Sequence, residues 1–261
     1  MICNYHWLLD TATKRQLVEV YNKLDQHRAM DRNLLKCCFD REKFKNSQHF
    51  KFEISRTDIL QQSVEKLIKI KPEKGFDPLK LPLQIVFEKE AGIDMGGVAK
   101  EYFKLINQQI FDPNMGMFKF NPDTNLSWFN GRTFESNLSF ELVGMLMGIA
   151  FYNNYFIDMP IVPTCYKILL DRELELKDLQ QWDEETAKSL QFILDYKASE
   201  NHGMPLEDML ARTFTVSVEN FGAHEEVELV PGGSNIYVTK DNREEFVRLF
   251  IEYQFKKQCQ D

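Results

Sequence analysis

The stretch FELVGMLMGIAFY, residues 140–152, constrains this sequence most. It is the longest apolar run, and it is too short to cross a bilayer, which takes roughly 20 residues. It therefore predicts a helix buried at the centre of a folded domain, with other elements packed round it. Gly144 and Gly148 stand four residues apart, a spacing that predicts close approach of a second helix.

The chain of 261 residues is long enough to supply those elements. Residues 7–70 read as mostly helical. In TKRQLVEVYNKLDQHRAM, Leu17, Val20, Tyr21 and Leu24 share one stripe, and in SRTDILQQSVEKLIKI so do Ile59, Leu60, Val64, Leu67 and Ile68, with Ser55, Thr57 or Asp58 as the cap. Pro78 and Pro82 then exclude a continuing helix. Leu83, Ile85 and Phe87 alternate as in a strand. IDMGGVAKEYF follows, with Gly96 and Gly97 allowing a sharp turn and Val98, Tyr102, Ile106 and Ile110 at helical spacing. FDPNMGMF reads as a turn, SWFNGRTFES as an aromatic loop, and PTCYKILLDREL as the start of another helix.

Near residue 171 the character changes. Residues 171–212 are acidic and helical, broken by ENHGMP, and read as a small separate unit. Phe214, Val216 and Val218 then share a strand face. VELVPGGSNIYVT predicts two short strands round a Pro-Gly-Gly turn, and DNREEFVRLFIEYQFKKQ a last helix capped by an Asp241–Glu244 box or by Thr239. The fold class is α+β, predominantly α-helical, with short β-strands.

Composition narrows function. Hydrophobic residues at 43% and charged residues at 28% describe a globular chain, and 21 phenylalanines an aromatic-rich core. The net charge is −8, with both signs interspersed, which argues against nucleic acid as a partner. The densest basic run, KLIKIKPEK, is short and contains Glu73. Five cysteines without a CxxC pair (Cys3, Cys37, Cys38, Cys165 and Cys259) fit free thiols in a reducing compartment. The first residues carry no basic start followed by an apolar run, so no signal peptide and no membrane partner are expected.

Chemical motifs are scarce. The glycines of DMGGVAKE fit neither GxxxxGK[ST] nor GxGxxG, so a phosphate cradle is not indicated. His6, His27, His49, His202 and His224 are scattered, Cys3 and His6 form a lone CxxH, and no GxSxG elbow occurs. Cys165 follows a threonine, as a nucleophile could, but it opens an apolar helix with no histidine within thirty residues. A small buried hydrophobe fits it better. No catalytic residue, metal site or cofactor is assigned.

Taken together, the motifs resemble the HECT-type ubiquitin ligases. A strand ending in F-x-x-E-x-G-x-D-x-G-G is matched by Phe87, Glu90, Gly92, Asp94, Gly96 and Gly97. The helix with K-E-[FY]-F is matched by Lys100, Glu101, Tyr102 and Phe103, and the turn F-[ND]-P-x-x-G-x-F by Phe111, Asp112, Pro113, Gly116 and Phe118. Trp128, Phe129 and Asn130 match the W-F-N loop. GMLMGIAFYNNYFID and VELVPGGSNIYVTKDNREEFVRLFIEYQF resemble two further family stretches. The resemblance covers nearly the whole chain and is weakest before residue 45; ligases related to the papillomavirus-E6-associated protein look nearest. Met95 departs from the glutamate common there.

The resemblance implies a HECT N-lobe over residues 1–261, with a larger subdomain at about 1–170 and 213–261 and a small conjugating-enzyme-binding subdomain at about 171–212. It implies ubiquitin transfer through a C-lobe cysteine in a T-C-F-N-x-L-x-L-P context, and no such segment occurs in this sequence. Cys165 is not that cysteine, and the chain alone is expected to be inactive in that step. The Asp-x-Gly-Gly joint becomes a structural corner, with Asp94 as a cap and the glycines permitting close backbone approach. Partners implied are a ubiquitin-conjugating enzyme, ubiquitin and a protein substrate, in the cytoplasm or also the nucleus.

Residues matching the family's docking groove are Ser189, Leu190, Ile193, Leu194, Tyr196 and Leu210, with Arg212 where an aliphatic side chain is common. Leu190 and Leu194 could equally pack the small subdomain's own core, with Ile193 and Tyr196 partly on another face. A standalone module that binds or sequesters the conjugating enzyme is the alternative function.

Overall fold

The computed structural model describes residues 9–37, 48–70, 77–88, 90, 96–200, 203–220 and 223–257. The described chain is α+β and mostly helical, with three two-stranded sheets. It divides into two compact units, one of Met1–Asp112 and Glu135–Met159, the other of Pro113–Phe134 and Pro160–Asp261.

The first unit holds helix α1 (Thr11–Cys37), strand β1 (Phe50–Ile54), α2 (Ile59–Lys69), β2 (Leu83–Phe87), α3 (Gly97–Ile110) and α4 (Asn137–Tyr152). Strands β1 and β2 pair in parallel, from Phe50 opposite Leu83 to Ile54 opposite Phe87. Parallel neighbours need a crossover, and α2 provides it. β1 lies inside the region expected to be helical. Its signal was the alternation in FKFEI, which buries Phe52 and Ile54 while Lys51 and Glu53 stay exposed. Phe52, Ile85, Tyr102, Phe103, Ile106, Leu142 and Leu146 are buried as a core. Tyr102 sits edge-on to Phe52, with ring centroids 6.0 Å apart. Its hydroxyl lies 2.9 Å from the buried Ser63 Oγ, so neither polar group is orphaned.

Two helices of this unit depart from expectation. The stripe of α1 faces outward, with Leu17 48%, Tyr21 67% and Leu24 54% exposed. The helix is held instead through its polar side. Asp25 accepts from Tyr152 Oη at 3.2 Å and pairs with Lys80 Nζ at 3.1 Å, while Gln26 donates to Asn153. α4 buries Leu142, Val143, Leu146, Ile149 and Ala150, as its apolar run demands. Gly144 and Gly148 are exposed, however, and a Cβ on either would meet nothing within 4 Å. Among the described residues no helix packs against them; Gly148 lines an open apolar cavity of about 250 Å³ with Leu79, Lys80, Met145, Ile149 and Tyr152.

At the glycine joint, Gly96 adopts φ +90° and caps α3, a conformation that only glycine reaches without strain. Gly97 has ordinary geometry, and among the described residues nothing approaches the Cβ position of either glycine within 4 Å. Asp94 lies outside the described residues. The joint is clamped by Arg56, whose guanidinium binds Glu90 on one side and Glu101 of α3, at 2.8 and 3.0 Å, on the other. It also stacks 4.1 Å from the centroid of Phe87. Three residues of the ligase-like motif thus serve one corner.

The second unit contains β3 (Phe118–Asn121), β4 (Leu126–Phe129), α5 (Thr164–Leu169), α6 (Leu176–Trp182), α7 (Glu184–Asp195), α8 (Leu206–Leu210), β5 (Thr215–Asn220), β6 (Ala223–Glu228) and α9 (Arg243–Phe255). Trp128 and Phe129, expected in a loop, belong to β4, which closes a hairpin on β3. Asn125 makes the reversal at φ +55°. Trp128 packs edge-on to Phe255, centroids 4.9 Å apart. Phe214, Val216 and Val218 are buried on one face, as the alternation required. After β6 the chain forms a 3₁₀ turn, Gly233–Asn235, rather than a second strand, and pairs back only as an isolated bridge between Tyr237 and Thr213, with Phe214 N donating to Ile236 O and Val238 N to Arg212 O. Glu228 explains the turn, since its carboxylate accepts from Gly232 N, Ser234 N and Ser234 Oγ. The cap residue of α9 is Asn242, whose Oδ1 accepts from Thr239 N at 2.7 Å, rather than Asp241 or Thr239.

Candidate functional site

Helices α6, α7 and α8 build the surface that the sequence singled out. α6 is fixed at its start by a reciprocal capping box between Glu175 and Asp178. Asp178 is a buried carboxylate held by Glu175 N and by Lys167 Nζ, each at 2.8 Å. Asp183 ends α6 and starts α7, accepting from Thr186 N at 2.9 Å. Leu179, Trp182, Ala187, Leu190 and Ile193 are buried along these helices.

The six candidate residues separate into three groups. Leu190, Ile193 and Tyr196 are 2%, 3% and 6% exposed, so Ile193 and Tyr196 share the inward face instead of lying on another. Ala187, Leu190 and Ile193 stand three residues apart and so share one helical face. Arg243 of α9 donates to the carbonyls of Ile193 at 3.3 Å and Tyr196 at 2.9 Å, which caps the last turn of α7. Leu194 and Leu210 are half-buried. Ser189 is exposed, its hydroxyl bonded back to the carbonyl of Glu185 at 3.0 Å.

The apolar side chains that reach the surface here are Phe192, Met204 and Met209, at 47%, 46% and 44% exposure. The sequence reading missed them. Their signal was positional: Phe192 lies two residues from Leu190, about 200° round the helix from a buried position, where an isolated large ring has no core to enter. Tyr196 joins the three. Its ring meets Phe192 edge-on with centroids 5.9 Å apart, and its hydroxyl donates to Met204 O at 2.9 Å while lying 3.6 Å from Met209 Sδ. Arg212, which stands where an aliphatic side chain is common in the family it resembles, packs over the rings of Phe246 and Phe250.

Chemistry of the described side chains is sparse at this surface. Cys165 is buried, and burial pushes its thiol pKa up, which disfavours the thiolate a nucleophile needs. Among the described residues no three His, Cys, Asp or Glu side chains could share a metal ion, and no helix is long and apolar enough to cross a membrane. Cys3, Cys37, Cys38, Cys259 and His202 fall outside what is described of side chains. An exposed ring packed on Tyr196, with two exposed methionines bonded to the same tyrosine's hydroxyl, suits the docking of an apolar group from another protein.

A family model described as HECT-domain (ubiquitin-transferase) matches residues 104–261. The probable E3 ubiquitin-protein ligase HERC4 of Rattus norvegicus is 34% identical over 259 residues, which is 98% of this chain and 24% of that protein. HERC3 of Homo sapiens, also named a probable E3 ubiquitin-protein ligase, is 30% identical over 98% of this chain and 24% of its own length. HECTD2 of Mus musculus, of the same description, is 30% identical over 98% of this chain and 34% of its own. The chain therefore spans between a quarter and a third of the length of these relatives.

Proposed function

The chain belongs to the HECT-domain (ubiquitin-transferase) family, and on that premise we propose that it is the part of a ubiquitin-protein ligase that recruits a ubiquitin-charged conjugating enzyme. The observation that carries this reading is the exposed apolar trio of Phe192, Met204 and Met209 around a buried Tyr196. Residues of about 171–212 act as the docking subdomain, and those of about 1–170 and 213–261 as its support.

In the proposed reaction a conjugating enzyme seats an apolar side chain against Phe192. Its ubiquitin thioester is then presented to an acceptor thiolate. That thiolate attacks the thioester carbonyl, the conjugating enzyme's thiol leaves, and a substrate lysine amine later displaces the ligase sulfur. In this reading the acceptor is a cysteine in the family's T-C-F-N-x-L-x-L-P context, which residues 1–261 do not contain, and burial of Cys165 supports leaving that thiol out of the reaction. Such thiol chemistry fits the reducing cytoplasm or nucleus.

Calorimetric titration with a ubiquitin-conjugating enzyme tests the docking. Phe192→Asp is expected to weaken binding at least about tenfold with the thermal midpoint retained, since the ring is half exposed. Unchanged affinity overturns the reading. Mixing the chain with ubiquitin-charged enzyme is expected to give no reductant-sensitive adduct; an adduct lost in Cys165→Ser would make that residue the acceptor.

A further inference from the structure

Methionine oxidation selects the same surface. The described methionines are Met30, Met115, Met117, Met145, Met147, Met159, Met204 and Met209. Met117 is 2% exposed, the next five positions of lower exposure are half-buried, and only Met204 and Met209 among them are exposed. Exposure governs access of a dissolved oxidant to a thioether. Among the described residues both exposed methionines therefore adjoin Tyr196, Met204 through its carbonyl oxygen and Met209 through Sδ, and the one buried thiol described, Cys165, is covered, with burial pushing its pKa up.

We propose that Met204 and Met209 are a redox modification site, and that their conversion to sulfoxide by a hydroperoxide switches off docking of the conjugating enzyme. The proposal rests on the docking reading above and names its regulation. In the step, a sulfur lone pair attacks the terminal peroxide oxygen. The S–O bond forms as the O–O bond breaks, the sulfur is oxidised by two electrons, and the departing oxygen takes up the proton of the transferred oxygen and leaves as the alcohol, or as water when the oxidant is hydrogen peroxide.

Two consequences follow from the geometry. A flexible apolar side chain becomes polar, so the surface loses the adaptable contact that suits an apolar partner. The second consequence concerns Tyr196, whose single O–H donates to Met204 O at 2.9 Å and lies 3.6 Å from Met209 Sδ. A sulfoxide oxygen on Met209 is a far stronger acceptor than a thioether sulfur. It draws that proton away from Met204 O and loosens the turn that Gly203 makes at φ +79°. Modification of one sulfur thus disturbs the backbone that carries the other.

Hydrogen peroxide on the folded chain is the direct test. Peptide mass spectrometry is expected to find one added oxygen first on Met204 and Met209, with Met117 unchanged. Affinity for a ubiquitin-conjugating enzyme is expected to fall about tenfold and to return after treatment with methionine sulfoxide reductases. In the double variant Met204→Leu/Met209→Leu, the ratio of treated to untreated affinity is expected to be near one, whatever the starting value. Full oxidation of both residues without loss of affinity overturns the switch, as does an equal loss in the double variant. Absence of binding before any treatment overturns the docking reading instead, and the proposal with it.

Discussion

A Cβ added to Gly233 would stand 2.5 Å from the carbonyl oxygen of Phe214. The same neighbours are bonded, Phe214 N donating to Gly233 O at 3.1 Å. Because the obstructing atom is backbone at the entrance to β5, it cannot rotate aside. Gly233→Ala is therefore expected to cost about 1–3 kcal/mol, the range for overpacking a close contact, read as a lower midpoint in chemical denaturation. Gly97→Ala, with open space at the Cβ, is expected to be neutral or slightly stabilising by the same measurement.

The Lys167–Asp178 pair gives an ordering of two variants. Asp178 is 3% exposed at its side chain and Lys167 33%. Lys167→Met leaves a buried carboxylate with Glu175 N as its remaining donor, whereas Asp178→Asn leaves an ammonium that reaches water. Lys167→Met is expected to cost about 3 kcal/mol, and Asp178→Asn about half of that. Urea titration of the two variants checks the order, and equal losses would contradict it.

The Arg56 clamp makes stability depend on acid. Hydrogen bonds from Arg56 hold Glu90 and Glu101 below the ordinary value of 4.5. A depressed folded pKa means that the unfolded chain binds protons first, so the contribution is present above about pH 4.5 and is lost as pH falls through the folded values. Arg56→Met removes it and is expected to flatten the acid limb of a plot of thermal midpoint against pH. The two proteins should differ at neutrality and converge as pH falls below the folded values of the two carboxylates. Both carboxylates are exposed, so the difference is also expected to shrink in high salt.

Much of the fold was legible because burial and period agreed. α3 buries Tyr102, Phe103, Ile106 and Ile110 on the face its spacing draws, and β2 buries Leu83, Ile85 and Phe87. β1 was missed because five residues of alternation sit between two helices, and its partner is a parallel strand after α2, a pairing that local pattern does not reveal. At the candidate site the helical period already sets Ala187, Leu190 and Ile193 on one face and Phe192 off it. Local pattern does not carry the tie from Arg243, some fifty residues further on, to the carbonyls of Ile193 and Tyr196. Asn242 and Glu228 set turns through side-chain bonds that compete with capping and strand formation, and hydrophobic patterning carries no information on these.

The outward stripe of α1 tests that distinction between amphipathic pattern and actual burial. Leu17→Gln, Tyr21→Gln and Leu24→Gln are each expected to change stability by less than about 0.5 kcal/mol, because these side chains are about half exposed or more. Asp25→Ala, which strips the acceptor from Tyr152 Oη and Lys80 Nζ, is expected to cost more than any of them. Thermal midpoints of the four variants decide the matter; a large loss from the three glutamines would mean that the stripe is covered.

Arg243 is where support and docking can be separated. Its guanidinium holds two carbonyls in the last turn of α7, and Tyr196, at one of them, backs Phe192 and the Met204 turn. Hydrogen bonds to a charged group contribute about 1.5–3 kcal/mol, so Arg243→Met is expected to lower the denaturation midpoint. It is also expected to weaken conjugating-enzyme binding about threefold to tenfold, because α7 then frays where the surface is built. Both bonds leave one nitrogen, Nη1, so Arg243→Lys, which keeps a charged nitrogen with several donors, is expected to bind with an affinity between those of Arg243→Met and the unaltered chain. Gly233→Ala, matched to Arg243→Met in stability loss but distant in sequence from α7, serves as the control. If both variants bind as tightly as the unaltered chain, the inward pull of α9 stabilises the unit and does nothing for docking.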